Sequence, residues 1–180
     1  MKALFIEDKD LKTDAFRELH NRLTKMFYEK GYEINSVEIG KRDLASCIGC
    51  FGCWIKRPGE CVIDDLMSEI NRCHMNSDVV IYMTPIIFGQ FSSNIKNAVD
   101  RYLPNLLPFF EQVNGGTKHP FRYEKYPELM IIGYSDDITK EERDTFVDIT
   151  KKNRTDINNI FICEKEENND EIVKSISKII

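Results

Sequence analysis

The sequence predicts an α/β protein whose parallel sheet is covered by helices on both faces. Two observations carry this prediction. Short, nearly continuous apolar runs alternate along the chain with longer segments in which apolar residues recur at helical spacing. Runs that are apolar on both faces are typical of a buried parallel sheet. Five strand–helix pairs follow one another, and this alternation is typical of a doubly wound fold.

The strands are predicted from apolar runs of strand length. The first run, KALFIE, begins at the second residue of the chain. The second run alternates apolar and polar residues, as a half-buried strand does. The third, SDVVIYMTP, is the most apolar run and closes at Pro85. The predicted strands are 2–7, 32–40, 77–85, 128–135 and 158–165.

The helices are predicted from apolar spacing and from capping residues. The first helix has apolar residues on one face, beginning at Phe16, and Gly31 ends it. Asp64 or Asp65 is expected to cap the second helix, and Ser92 or Ser93 the third. Thr139, followed three residues later by Glu142, is a capping box. His74, beside Cys73, is expected at the surface or at a helix end. The predicted helices are 14–31, 66–75, 94–103, 139–153 and a last one that begins at 168–170.

For five strands in 180 residues, the expected arrangement is a flavodoxin-like sheet with strand order 2-1-3-4-5, formed by a single domain over 1–180. In this architecture a ligand binds at the C-terminal ends of the strands, where the strand order reverses. The predicted site is therefore built from the loops 7–14, 84–92 and 134–139. A long aromatic loop, 104–127, contains four prolines and interrupts the alternation.

Composition and charge disfavour several classes of function. Hydrophobic residues make up 42% of the chain and charged residues 31%, as in ordinary globular proteins. The net charge of −5 disfavours nucleic-acid binding, because phosphates require a basic surface. No apolar run approaches the roughly 18 residues of a membrane helix, and the N-terminus has no signal-peptide pattern. We expect a cytoplasmic protein with no nucleic-acid or membrane partner.

Four of the six cysteines lie within CIGCFGCWIKRPGEC, and they are Cys47, Cys50, Cys53 and Cys61. In a reducing compartment, such grouping indicates metal or redox chemistry more than structural disulfides. Four thiolates are the number that a [4Fe–4S] cluster requires. Zinc, a thiol–disulfide pair and cysteines that pack without a metal remain alternatives. Zinc is less well matched, because structural zinc usually separates two Cys-x2-Cys pairs by about a dozen residues or more.

Two segments resemble the flavodoxin-fold NAD(P)H-dependent FMN reductases, including the iron–sulfur flavoproteins. The first is CIGCFGCW…GECVIDD, whose Cys-x2-Cys-x2-Cys-x7-Cys spacing resembles the compact cluster motif of those proteins. The second is SDVVIYMTPIIFGQFSSNIKNAVDR, where Thr84, Pro85, Lys96, Asp100 and Arg101 carry the likeness. The resemblance implies bound FMN, NAD(P)H as co-substrate, a [4Fe–4S] cluster on the four cysteines, and a homodimer or homotetramer.

The resemblance also implies which residues contact the flavin. Backbone groups after the third strand would meet the ring, and Tyr134 and Ser135 would lie at its edge. The implied ring contacts are Thr84, Pro85, Ile86, Ile87, Phe88 and Gly89. An ordinary strand-to-helix turn is the alternative for this segment.

The first loop departs from the family, in which Gly-Ser-x-Arg…Asn-Thr surrounds the FMN phosphate with backbone N–H groups. Here the loop reads EDKDLKTD. Four carboxylates would repel a phosphate dianion, namely Glu7, Asp8, Asp10 and Asp14. Three residues would compensate as phosphate ligands, namely Lys9, Lys12 and Thr13.

The expected function is that of an FMN-dependent oxidoreductase. It would move electrons from NAD(P)H to a quinone, a small electrophile or a bound iron–sulfur cluster, with no side chain required as acid or base. One alternative is a flavin-free, flavodoxin-like binding or assembly module with a degenerate phosphate loop. Another is a metal-binding electron carrier that uses the cysteine loop alone.

Overall fold

The computed structural model describes residues 1–113, 115–153, 157 and 159–180. Its strands are β1 (Lys2–Asp8), β2 (Glu33–Ile39), β3 (Val79–Ile87), β4 (Gln90–Phe91), β5 (Glu111–Val113), β6 (Gly116–Lys118), β7 (Glu128–Tyr134) and β8 (Ile160–Cys163). The parallel strands have the order β2-β1-β3-β7-β8. This is the predicted order 2-1-3-4-5, so the flavodoxin-like fold is confirmed.

The helices are α1 (Asp14–Glu29), α2 (Gly52–Ile55), α3 (Leu66–Met75), α4 (Ser93–Asp100), α5 (Lys140–Asn153) and α6 (Asn169–Ile179). Alternate residues of β1 face opposite sides of the sheet, as the period of a strand requires. Phe5 packs with residues of α1 and α6, while Leu4 and Ile6 pack with residues of α3, α4 and α5. Both faces of the sheet are therefore buried, as the apolar strand sequences predict.

Side chains cap these helices as the sequence predicts. Asp65 accepts a hydrogen bond from Met67 N at 3.0 Å, and it begins α3. Ser92 Oγ accepts from Ile95 N at 3.3 Å and begins α4. Thr139 and Glu142 exchange both bonds of the capping box ahead of α5. These bonds satisfy backbone donors that a helix leaves unpaired at its start.

The structure differs from the sequence prediction in detail. β3 runs two residues past Pro85, which lies beyond the pairing with β1 and so takes an edge-like position that proline tolerates. The aromatic segment 104–127 begins in a short 3-10 turn and contains the β5–β6 hairpin, with Asn114 outside the described residues. Asn158, where the last predicted strand begins, also lies outside them.

His74 lies in the last turn of α3, as one of the two expected positions required, but the expected surface position is wrong. Its side chain is buried, and its ring lies 4.8 Å from that of Tyr102 and 6.1 Å from that of Tyr82, measured between centroids. Its position follows from helical spacing, because His74 stands seven residues after Met67 and four after Ile70 on the buried face of α3. Within the part of the chain that the structure describes, no helix has the length and apolar character needed to cross a membrane.

Candidate functional site at the sheet switch point

A cavity of about 420 Å³ opens at the C-terminal ends of β1 and β3. Strand order reverses between these two strands, which is where doubly wound sheets bind their ligands. We call this the switch-point cavity. Its lining residues are Asp8, Asp10, Leu11, Lys41, Ile87, Gln90, Phe91, Ser92, Ser93 and Asn94.

The carboxylate of Asp8 is fully buried at the floor of this cavity. Its Oδ1 accepts from the backbone N–H groups of Asp10 at 2.8 Å and Leu11 at 3.0 Å. Its Oδ2 accepts from Ser92 Oγ at 2.6 Å and Asn94 Nδ2 at 3.1 Å. Donors that converge in this way form an anion-binding position. In this protein the anion they bind is Asp8 itself.

A second carboxylate joins the walls of the cavity. Asp10 Oδ2 accepts from Lys41 N at 2.9 Å and from Asn94 Nδ2 at 3.1 Å. These bonds connect the loop after β1 with the segment after β2 and the start of α4. The carboxylates of this loop therefore hold the three walls together, in addition to giving the cavity a negative charge.

The three predicted phosphate ligands lie away from the lining of the cavity. Lys12 Nζ pairs with Glu7 at 3.2 Å and with Glu38. Burial lowers the pKa of Lys12, but the bonds to Glu38 and Glu7 outweigh it and raise this pKa overall. Thr13 Oγ1 accepts from Phe16 N at 3.2 Å and caps α1. Lys9 is exposed, and its backbone N–H donates to β2.

Glu7 is a buried carboxylate that makes the stability of the fold depend on pH. Its oxygens lie 3.2 Å from Lys12 Nζ and 3.0 Å from His20 Nε2. Burial by itself would raise the pKa of Glu7. The hydrogen bonds and charges of His20 and Lys12 lower it by more, so the pKa of Glu7 lies below its ordinary value. A depressed carboxyl pKa adds stability above the unfolded-state value, and this stability is lost as pH falls through the folded-state pKa.

We expect Glu7→Gln to remove this dependence. The variant should be less stable at neutral pH by about 1.5–3 kcal/mol, because charge-assisted hydrogen bonds are lost. The gap from the parent protein should begin to narrow below about pH 4.5, the unfolded-state value, and close once the pH falls below the lower folded-state pKa. Urea unfolding at a series of pH values measures both quantities. Glu29→Gln is the control, because Glu29 is an exposed carboxylate on α1 that pairs with Lys25 of the same helix. A gap that stays constant with pH would contradict the assignment.

The residues predicted to contact the ring lie at the end of β3 and in the turn that follows it. Thr84 is buried; its Oγ1 donates to Pro85 O and accepts from Ser92 N, both at 3.0 Å. Phe88 and Gly89 both have positive φ, 50° and 73°, and form the tight turn that leads into β4. Ile87 lines the cavity, while Phe88 is 87% exposed at the tip of the turn. The exposed apolar side chains here are therefore Ile87 and Phe88, and Ile86 is buried.

Tyr134 and Ser135, the predicted ring-edge residues, take different positions. The Tyr134 ring is fully buried and stacks on Phe16, with centroids 4.0 Å apart and an interplanar angle of 14°. Its hydroxyl donates to Leu11 O at 2.6 Å. Burial, with the nearby charges of Asp8 and Glu7, raises the pKa of Tyr134 far above its usual range. Tyr134 thus supports the first loop from the core, and Ser135 donates to Asp137 O.

The cysteine loop brings its four thiols into one neighbourhood. Cys53 is buried at the start of α2, Cys61 is half-buried, and Cys47 and Cys50 are exposed. Burial raises the pKa of Cys53, and the proximity of Cys61, Cys47 and Cys50 raises it further. Trp54 Nε1 donates to Leu103 O and Leu106 O, at 3.2 and 3.0 Å, and thereby ties the loop to the aromatic segment.

Arg101 joins the two ends of the cysteine loop. This arginine is 2% exposed. Nη1 donates to Ala45 O at 3.1 Å and to the Asp65 carboxylate. Nη2 donates to Cys61 Sγ at 3.4 Å and to Ile63 O at 3.2 Å. Burial raises the pKa of Asp65, but Arg101 and two backbone N–H groups lower it overall.

Two of the other cavities lie beside the cysteine loop and the aromatic segment, away from the switch point. One, of about 830 Å³, runs beside Cys61, Asp65 and Tyr123. The other, of about 290 Å³, lies between Tyr82, Phe91 and His119. The second cavity is more enclosed by apolar side chains. Neither cavity lies at the C-terminal ends of the strands, where ligands of doubly wound sheets bind.

Comparison with known proteins finds relatives for part of the chain, although no protein-family model matches it. An iron–sulfur flavoprotein of Archaeoglobus fulgidus is 32% identical over 104 residues, which are 58% of this chain and 46% of that protein. The chain is similar to iron–sulfur flavoproteins. A second, from Methanocaldococcus jannaschii, is 33% identical over 81 residues, or 45% of this chain and 41% of that protein. The resemblance noted from the two motifs is thereby confirmed.

The likeness to iron–sulfur flavoproteins covers less than half the length of these curated relatives. Solved structures match over the whole fold. An NAD(P)H:quinone oxidoreductase from Methanothermobacter marburgensis aligns with a TM-score of 0.65 at 8% identity, covering 99% of this chain and 94% of that one. An azoreductase from Bacillus anthracis aligns with a TM-score of 0.64 at 10% identity, covering 99% and 96%. At such identities these structures show the shared fold.

The name iron–sulfur flavoprotein implies two cofactors, a flavin and an iron–sulfur cluster, and the residues of this chain do not suit both equally well. The switch-point cavity has the size and the apolar rim that a flavin ring requires. The phosphate of FMN does not fit, because Asp8 occupies the converging donors. The thiols as placed do not form a metal site either. Among the described residues, no group of three or more Cys, His, Asp or Glu side chains is arranged to hold one ion.

Sequence reasoning missed three residues that build the site. Asn94 and Lys41 carried no motif, and Arg101 was noted only as part of a resemblance. The role of Asn94 could not be predicted from its neighbours in sequence, because it lies in the first turn of α4 after the capping Ser92, where asparagine is an ordinary residue. Its two contacts are with Asp8 and Asp10, more than 80 positions away in sequence. No local pattern reports a contact of that separation.

Proposed function

We propose that the chain is a flavin-dependent oxidoreductase. It takes electrons from NAD(P)H and passes them to a quinone, to another small electrophile or to an iron–sulfur cluster in the cysteine loop. The observation that carries this proposal is the cavity at the C-terminal ends of β1 and β3, with Ile87 at its wall. The similarity to iron–sulfur flavoproteins supports it. When bound, the flavin supplies hydride and single-electron chemistry.

The part played by the chain is to bind and orient the ring. The β3–β4 turn presents the exposed residues Ile87 and Phe88, so one face of a flat ligand can pack on apolar side chains. Thr84 fixes this turn, because its hydroxyl bridges Pro85 O and Ser92 N. No acid or base is needed from a side chain for hydride transfer to a flavin, so the proposal assigns none.

We also propose that Cys47, Cys50, Cys53 and Cys61 ligate a [4Fe–4S] cluster. Their number and spacing support this, as does the buried positive charge of Arg101 against Cys61. Among the described residues the thiols are not arranged around one ion, so the proposal requires the loop to rearrange when the cluster binds. A cluster with four thiolates is negatively charged, and a guanidinium stabilises such a charge. Zinc and a disulfide pair are the alternatives that metal analysis and thiol titration distinguish.

The visible spectrum of protein purified without oxygen tests both parts. A flavin double band supports the oxidoreductase, and a broad thiolate-to-iron band supports the cluster. A colourless protein that takes up neither riboflavin nor FMN would contradict the proposed function. Bleaching of the flavin band by NADH or NADPH then tests the electron donor.

Replacing Cys50 with serine should abolish the thiolate-to-iron band and leave the flavin band unchanged. Cys50 is exposed, so its removal has little effect on packing. Its Sγ lies near Gly52 N, at 3.4 Å, in the tightest part of the loop. Cys73→Ser, in α3 outside the loop, is the matched control and should keep both bands. If Cys50→Ser keeps the thiolate-to-iron band, Cys50 is not a ligand of the cluster and the proposed ligation is ruled out.

Asp8 favours a second candidate, an electron carrier that uses the cysteine loop without any flavin. Its carboxylate fills the anion position that FMN would need. In that case the anaerobic protein shows the iron band, takes up neither riboflavin nor FMN, and transfers electrons to a small acceptor only when reduced chemically. The spectrum and a flavin titration therefore separate the two candidates.

We further propose that the chain forms a homodimer or homotetramer through its aromatic surface. Ile48, Phe51, Ile55, Phe109 and Phe110 are exposed large apolar residues. Phe51 stacks on Trp54, whose ring contacts His119, which in turn contacts Phe110. An apolar surface of this kind is typical of a subunit contact. Sedimentation of the parent protein and of Phe110→Ser measures whether the assembly depends on it.

A further inference from the structure

The Asp8 carboxylate occupies the place of a ligand anion. Its four donors come from two separate elements: two backbone N–H groups from the loop after β1, and a hydroxyl and an amide from the start of α4. Each oxygen accepts two of these bonds, so the carboxylate uses the donors that would otherwise be free for a phosphate. A bound phosphate would have to displace a buried, fully hydrogen-bonded carboxylate.

We propose that Asp8 makes the switch-point cavity selective for flavins that end in a hydroxyl, with riboflavin as the simplest, and selective against FMN. This inference rests on the proposed flavin-dependent function. It concerns specificity, so it predicts which flavin binds and not whether electrons are transferred.

The charges around the cavity point in the same direction. Asp8 and Asp10 both line it, and the lysine among its lining residues is the exposed Lys41. Lys12, which a phosphate would need, is already paired with two glutamates. A phosphate group carries nearly two negative charges at neutral pH. Two carboxylates at the wall therefore repel it, and one exposed lysine compensates only in part.

The terminal groups of the two flavins also differ in hydrogen bonding. A phosphate dianion only accepts hydrogen bonds, whereas the chain-end hydroxyl of riboflavin donates as well as accepts. Carboxylates accept only, so Asp10 at the cavity wall matches a hydroxyl and not a phosphate. The Asp8 carboxylate is already fully hydrogen-bonded and acts on a phosphate by repulsion and by occupying its donors. Specificity of this kind follows from an unfavourable contact with the wrong ligand, as well as from a favourable one with the right ligand.

The test compares dissociation constants of riboflavin and FMN, measured by quenching of flavin fluorescence on the full chain. The parent protein should bind riboflavin at least about tenfold more tightly than FMN. Asp8→Ser removes the carboxylate and leaves the four donors open to a phosphate. FMN should then gain about tenfold or more in affinity, while the affinity for riboflavin changes by less than about threefold.

Two further variants make the result interpretable. Asp14→Asn removes the same charge from an exposed carboxylate at the start of α1, so the ratio of the two affinities should stay within about threefold of the parent. Asp8→Asn keeps the shape of the side chain and removes its charge. If Asp8→Ser does not fold, Asp8→Asn decides, with an expected shift of the ratio towards FMN.

The outcomes separate this inference from the proposed function. A parent protein that binds FMN as tightly as riboflavin overturns the selectivity and leaves the flavin-dependent function intact. Failure of both flavins to bind, in the parent and in every folded variant, overturns the function together with the selectivity. An unchanged ratio in a folded Asp8→Ser or Asp8→Asn overturns the role of Asp8 alone.

Discussion

Replacing Arg101 with methionine is expected to destabilise the protein by about 3–5 kcal/mol, the usual effect of breaking a buried ion pair from one side. Methionine keeps much of the length of the side chain but donates no hydrogen bond. Asp65 would then lose its cation, and the carbonyls of Ala45 and Ile63 would lose their donors. Chemical denaturation followed by circular dichroism measures the loss.

The loss should be concentrated at the cysteine loop. In Arg101→Met, limited proteolysis should cleave between Ala45 and Asp65 faster than in the parent. Lys96→Met is the matched control, because Lys96 lies on α4, the helix directly before Arg101, and pairs with Asp100 at the surface. Exposed pairs of this kind contribute only about 0–1 kcal/mol. Equal stability and equal cleavage for the two variants would show that Arg101 does not hold the loop.

Replacing Phe16 with alanine should destabilise the protein by about 3–5 kcal/mol, as truncation of a buried aromatic ring does. Phe16 is buried in the core and stacks on Tyr134, which holds Leu11 O in the first loop. The cavity left by the ring would loosen Tyr134 as well. The free energy of unfolding from urea titration measures this effect.

Tyr134→Phe is the matched control for the Phe16 prediction. It keeps the stacked ring and removes only the hydrogen bond to Leu11 O. Its expected cost is about 0.5–1.5 kcal/mol. A loss as large as that of Phe16→Ala would mean that the hydrogen bond, and not the stacking, supports the loop.

Much of the fold followed from local sequence patterns. The apolar runs and the capping residues predicted the five parallel strands and the starts of α3, α4 and α5, because each depends on residues only a few positions apart. The rule that ligands bind where strand order reverses then located the cavity. The sheet order itself was reached through general rules of doubly wound folds.

The sequence predicted the positions of individual side chains less well than it predicted the strands and helices. Lys12 was predicted to bind a phosphate, but Glu38, which lies 26 positions away on β2, pairs with it instead. Tyr134 was predicted at a ligand edge. In a strand that is apolar on both faces, the sequence does not show which side chain points towards which helix, and Tyr134 points to Phe16.

The sequence by itself determined the elements, their order and the presence of four cysteines in one loop. Only the tertiary structure decided that Asp8 takes the anion position and that Arg101 closes the cysteine loop. Asp8 meets Ser92 and Asn94 across separations of 84 and 86 residues, and Arg101 meets Asp65 across 36. Periodicity and capping arise from neighbours along the chain. Contacts such as these arise only when strands pair and their ends converge.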